Sequence, residues 1–244
     1  MSGHSKWSKV KHQKAVSDVN RGKLFTKAAN AIIIAIREGS GINDPNSNFK
    51  LRLAIDRARD VNMPKENIER AIERAKGGGE GDNLKSVIFE AYGPKKTAFI
   101  IEGATDNNQR TTANIKNVLE RGRGTLVSPG AILYLFDHVG KIVVESYKNY
   151  DEILSLVLDA GGDDVVEKES KYVVYTQPKI LHKVVDFLLK SGLKVLTSEL
   201  IYKPKTTIIL TSEEDRNQVL NFIHSIESIE EIQGVYTNAI FEAK

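Results

Sequence analysis

At residues 77–82 the chain runs Gly-Gly-Gly-Glu-Gly-Asp, a stretch that neither a helix nor a strand tolerates, and the periodicity of the apolar residues differs on its two sides. A domain boundary is expected there. The run lacks the lysine and hydroxyl of a phosphate-binding loop and the spacing of the dinucleotide fingerprint, so it reads as a linker. Before it the period is helical. Phe25, Ala28, Ala29, Ile32 and Ile36 form one stripe that stops at Gly39 and Gly41. Leu51, Ala54, Ile55 and Ala58 form a second, with Arg52, Asp56, Arg57, Arg59 and Asp60 mostly on other faces. Asn62-Met63-Pro64 supplies a helix start with proline at the first turn, and Ile68, Ala71, Ile72 and Ala75 make the third stripe. Residues 1–76 are therefore expected to form a three-helix bundle.

Beyond the linker the pattern turns to strands and short helices. Val87–Tyr92 and Ala98–Glu102 read as strands, Arg110–Arg121 as a helix, and Ala131–Phe136 as another strand. Next come strand Lys141–Glu145, helix Tyr150–Ala160, strands Asp164–Glu167 and Tyr172–Thr176, helix Lys179–Ser191 and strand Lys194–Glu199. This order, β-α-β-β-α-β, is that of a ferredoxin-like domain over 137–204. The remaining strand Thr206–Leu210, helix Glu213–Ile226 and strand Glu231–Tyr236 are too few to bury a core alone. They are expected to return to the sheet begun at Val87, giving a discontinuous domain of 83–136 plus 205–244. The chain of 244 residues thus reads as α+β with three domains: a helical bundle, then two α/β sandwiches, the ferredoxin-like one inserted in the other.

Charge is distributed unevenly along this order. Residues 1–76 carry 16 Lys and Arg against 8 Asp and Glu, a net +8, and residues 77–244 carry 19 against 24, a net −5. A chain with one positive end fits a polyanionic partner, DNA or RNA. The first 30 residues hold seven basic side chains against Asp18 alone, and between Trp7 and Val19 no single helical face is apolar. That arm is expected to be mobile when unbound and to lie along a phosphate backbone, with Trp7 or His12 stacking on a base. Trp7 has a plainer reading as an aromatic anchor of the arm on the bundle. The absence of cysteine excludes disulfides and thiolate metal sites and suits the cytoplasm. The polar start is unlike a secretory signal, and the longest apolar run, 31–36, is far short of a membrane span, so no membrane partner is expected.

A search for chemistry finds no catalytic arrangement. His4, His12, His138, His182 and His224 are scattered without the spacing of a metalloprotease helix, and no serine sits in a nucleophile elbow. Asp159, Asp163, Asp164, Glu167 and Glu169 cluster around a helix end and a turn, which reads as a solvated acidic face rather than a magnesium site. Asp106-Asn107-Asn108-Gln109-Arg110-Thr111 joins a strand to a helix. Capping of the helix is its first reading, and an anion held at the helix start beside Arg110 its second. No cofactor, metal or small-molecule substrate is expected, and the chain reads as no enzyme.

Six segments carry a resemblance. Gly3-His4-Ser5-Lys6-Trp7, Lys11-His12-Gln13-Lys14-Ala15, Arg21-Gly22-Lys23-Leu24-Phe25-Thr26-Lys27, Leu51-Arg52-Leu53-Ala54-Ile55, Asn62-Met63-Pro64-Lys65 and Tyr92-Gly93-Pro94 resemble the signature of the YebC/PmpR family. The resemblance implies a three-domain α+β protein that regulates gene expression and has no agreed catalytic residues. It implies a DNA-binding transcriptional regulator. The alternative is a ribosome-associated translation factor that binds ribosomal RNA and relieves stalling, for example at proline runs, since family members include a mitochondrial translational activator. A nuclease is a remote third reading. The family's basic amino-terminal positions map onto Lys6, Lys9, Lys11, Lys14, Arg21, Lys23 and Lys27. With Trp7, His12 and the second-helix residues Arg52, Arg57 and Arg59, these make the expected nucleic-acid-binding set. One departure is Lys95-Lys96, where the family pattern has small residues or glycine after Tyr-Gly-Pro.

Overall fold

The structure, a computed structural model, describes residues 18–76, 83–168 and 171–241. The glycine-rich linker and the greater part of the basic arm lie outside them. The bundle consists of α1 (Asp18–Glu38), α2 (Phe49–Asp60) and α3 (Lys65–Lys76). Their stripes meet in one core: Ile32, Ile36, Leu51, Ala58, Met63, Ile68 and Ala71 are all buried. A single side chain organises the α1 to α2 connection. Asn48 caps α2 by accepting from Leu51 N–H at 3.1 Å, while its Nδ2 donates to the carbonyls of Ala35 at 2.9 Å and Ile42 at 2.8 Å. Gly39 makes room for it, since a Cβ there would stand 2.3 Å from Asn48 Nδ2. Pro64 opens the first turn of α3, its carbonyl accepting from the N–H groups of Asn67 and Ile68.

After the linker, β1 (Lys85–Tyr92) and β2 (Ala98–Thr105) form an antiparallel hairpin in register Lys85 to Thr105 through Tyr92 to Ala98. Then α4 (Asn108–Arg121) leads to β3 (Thr125–Val127), a strand the apolar pattern did not reveal, paired with the other edge of β1. The expected strand Ala131–Phe136 is not one. Residues 131–135 make a bend and a 3-10 turn, and only Phe136 begins a strand. The reason is Glu90, buried on β1, whose carboxylate accepts from the N–H groups of Gly130 at 2.5 Å, Ile132 at 2.6 Å and Leu133 at 2.8 Å. A backbone wrapped around one carboxylate cannot also run in a ladder.

Residues 136–203 form a compact unit of their own. It is built of β4 (Phe136–Glu145), α5 (Tyr150–Asp159), β5 (Asp164–Lys168), β6 (Lys171–Thr176), α6 (Leu181–Lys190) and β7 (Lys194–Pro204). The sheet order is β5-β6-β4-β7, with β6 antiparallel to both neighbours, which is the ferredoxin-like topology. Asn149 and Glu152 close a capping box at the start of α5, and Ile142, Val144, Ile153, Val157, Val174, Val184 and Leu188 are buried.

The chain then adds β8 (Ile208–Leu210), α7 (Glu213–Glu227), β9 (Ile232–Thr237) and β10 (Ala239–Phe241). β9 lies antiparallel to β2 and completes the order β3-β1-β2-β9, under which Phe89, Phe99, Ile101, Ile115, Leu119, Val219 and Phe222 form the core with α4 and α7. β10 pairs in parallel with β8 as a separate two-stranded sheet. Asn238 makes the change of sheet: its Oδ1 accepts from Ala98 N–H at 2.8 Å and its carbonyl from Ile208 N–H at 2.8 Å.

Candidate nucleic-acid interface

Of the expected binding residues, Lys6, Trp7, Lys9, Lys11, His12 and Lys14 lie outside the described residues, as does the expectation that the arm is mobile. The part of the bundle that is described, 18–76, still carries 12 Lys and Arg against 8 Asp and Glu. Arg21 and Lys23, in the first two turns of α1, are exposed. So is Arg59 on α2, with only a solvent-facing partner, Asp56, at 3.2 Å, and Arg70 on α3 is exposed as well. Surface pairs of this kind hold their cations weakly, which leaves them able to exchange a carboxylate for a phosphate.

Three of the expected cations are placed elsewhere. Lys27 is buried, and its ammonium donates to the carbonyl of Glu227, near the end of α7, at 2.7 Å. Burial pushes its pKa down to about 8, against the opposing charge of Glu227 and with help from Lys23. It joins the bundle to the second domain. Arg57 is half-buried, and its charge acts on the Glu102 carboxylate of β2. Burial raises the pKa of Glu102, and the Tyr236 hydroxyl, donating to Oε2 at 3.0 Å, and Arg57 oppose that rise. Arg52 donates through Nε to the Pro45 carbonyl at 3.2 Å and lies over the Phe49 ring, closing the turn before α2. Helical spacing places these cations off the bundle's own stripe. It does not distinguish water from a second domain as what lies beyond.

The joint between bundle and second domain is continuous. Ile33, Leu84 and Ala104 pack together, and Arg37 Nη1 donates to Leu84 O at 3.0 Å. Beside them is a cavity of about 470 Å³ lined by cations (Arg74, Arg110) and carboxylates (Asp106, Glu230, Glu231) together with Asn30. Asn107 caps α4 by accepting from Arg110 N–H at 3.0 Å. The Arg110 guanidinium reaches Asp106 at 2.6 Å and Glu231 at 3.6 Å, so carboxylates of the chain itself occupy the place of the anion considered for this helix start.

The acidic cluster is not gathered either. Asp164 pairs with Lys203 at 3.3 Å, Glu169 lies outside the described residues, and no group of three or more His, Asp and Glu among the described residues is arranged to hold a metal ion. His224 lies 3.7 Å from Glu227 on the same helix. No helix among the described residues is long and apolar enough to cross a membrane.

Residues 5–78 match the TACO1/YebC amino-terminal domain and residues 84–239 match the TACO1/YebC second and third domains. The chain belongs to the TACO1/YebC family. Relatives extend over its full length. A protein of Caldanaerobacter subterraneus is 40% identical over 244 residues, covering 99% of each chain, and one of Acidithiobacillus ferrooxidans is 42% identical over 238 residues, covering 98% of this chain and 94% of its own. Both are named "Probable transcriptional regulatory protein". The crystal structure of a conserved hypothetical protein from Aquifex aeolicus superposes with a TM-score of 0.82 at 35% identity over 98% of both chains.

Lys95 and Lys96 both have φ of +59°, the left-handed region that favours glycine. Lys95 is tied to Asp215 at the start of α7, at 2.7 Å.

Proposed function

We propose that this chain is a cytoplasmic, nucleic-acid-binding regulator of gene expression, a DNA-binding transcriptional regulator that docks through its basic amino-terminal domain and catalyses no reaction. The observation that carries this reading is the net charge of +8 over residues 1–76 against −5 over the rest of the chain, with four lysines and no acid before residue 18. Phosphate contacts from such a segment supply affinity that is independent of sequence, release counterions and steer association. The burial of Lys27 in the domain joint concentrates that role on the arm lysines and on Arg21, Lys23 and Arg59. The names of the full-length relatives support transcription as the process regulated.

Cross-linking in cells, followed by sequencing of the attached nucleic acid, tests the reading. Enrichment of promoter DNA is the expected result. Recovery of ribosomal RNA in its place would overturn the transcriptional assignment in favour of a translation factor, and recovery of neither would overturn nucleic-acid binding itself.

A further inference from the structure

A second basic surface stands at the far end of the middle domain, on residues outside the expected binding set. β1 and β3 pair Tyr92 with Thr125, and the turns that follow and precede them close on one ring: Cβ atoms on Gly93, Gly122 and Gly124 would stand 2.8, 2.3 and 2.4 Å from the nearest atoms of Phe222. The absence of side chains at these three glycines lets the hairpin turn 93–96 and the turn 121–124 lie against the same aromatic ring. Each turn carries exposed cations, Lys95 and Lys96 on one and Arg121 and Arg123 on the other. Asp215 neutralises Lys95. Lys96, Arg121 and Arg123 form no ion pair with another described residue.

The backbone at this end argues that the charge is kept for a purpose. Five described residues other than glycine have positive φ, and three of them are here, all cationic: Lys95 at +59°, Lys96 at +59° and Arg123 at +62°. Glycine would adopt each of these conformations without strain, so long cationic side chains at these positions oppose local stability. Strain held at an exposed turn, with like charges brought together, marks a surface shaped by a ligand rather than by the core.

We propose that the turns 93–96 and 121–124 form a second phosphate-contact surface that grips the backbone of the same DNA met by the bundle, through Lys96, Arg121 and Arg123. The inference rests on the nucleic-acid reading above and adds to it where a second contact is made. Bundle and second domain join at Leu84 and Ala104, the opposite end of the β1-β2 hairpin. The eight residues of β1 place the proposed surface about 25 Å from that joint. Charge complementarity selects a phosphate backbone, and no base-specific contact is required of this surface.

The test measures affinity of the full chain for a duplex DNA of about 20 base pairs across a range of salt, together with melting temperature. Lys96→Gly with Arg123→Gly relieves two left-handed positions while removing two charges. The expected result is a melting temperature at or above that of the unsubstituted protein, weaker binding, and a log-log salt slope shallower by about 2. A second variant, Lys96→Gln with Arg121→Gln and Arg123→Gln, keeps the side-chain bulk and should make the slope shallower by about 3. If both variants bind with unchanged affinity and slope while alanine at Lys6, Lys9, Lys11 and Lys14 weakens binding, the second surface is refuted and the bundle reading stands. If the unsubstituted protein binds no nucleic acid, the function itself is refuted, and the second surface with it.

Discussion

Glu90 and Lys27 are charged residues that the fold has turned inward, and each does a job that its neighbours in sequence do not announce. In an alternating strand Glu90 looks like one more polar residue, yet its carboxylate satisfies three backbone N–H groups of the 130–133 turn. Glu90→Ala should cost about 3 kcal/mol or more in urea denaturation, because charge-assisted bonds are lost and buried donors are left without partners. A loss within experimental error of zero would show that water replaces the carboxylate. Lys27 presents the opposite case, a cation whose burial disfavours its charged form. Its folded pKa of about 8 lies below the unfolded value of 10.5, so between these pH values the unfolded chain holds more protons and stability rises with pH. Relative to Lys27→Met, the natural chain should gain on the order of 1 to 3 kcal/mol between pH 8 and pH 10.5. Denaturant midpoints of the two proteins across that range provide the check, and parallel curves would refute the lowered pKa of Lys27.

At the scale of elements, hydrophobic periodicity was enough to read all three bundle helices and the whole ferredoxin-like order, because each of those segments buries one regular face. It failed where something other than a regular face sets the conformation. Ala131–Phe136 is an apolar run, and the carboxylate of a distant strand decides its path. β3 and β10 have three residues each, too few for a period to show, and they are held by pairing with strands remote in sequence. The α1 to α2 junction was legible only as a turn. Its organiser, Asn48, bonds a carbonyl of α1, the Ile42 carbonyl and an N–H of α2 at once. Asn48→Ala should therefore cost about 2 to 3 kcal/mol, more than an ordinary cap, with cooperativity retained in thermal unfolding. A cost below 1 kcal/mol would reduce it to a simple N-cap.

For the whole molecule, the uneven charge was plain from the sequence, and so was the bundle as its seat. Which cations face outward was not. Helical spacing places Lys27 off the bundle's apolar stripe, and only the fold shows that the second domain receives it. Lys95-Lys96 stood out in the sequence, but its grouping with Arg121 and Arg123 did not, because the two turns are separated along the chain and meet at the Phe222 ring. The central claim is that the amino-terminal domain meets a phosphate backbone, and the salt dependence of binding tests it most directly. Affinity of the full chain for duplex DNA should fall steeply with salt, and changing Lys6, Lys9, Lys11 and Lys14 to alanine should make the log-log slope shallower by about 3 to 4 without lowering the melting temperature. A slope near zero for the natural chain, or one that the four substitutions leave unchanged, would contradict it.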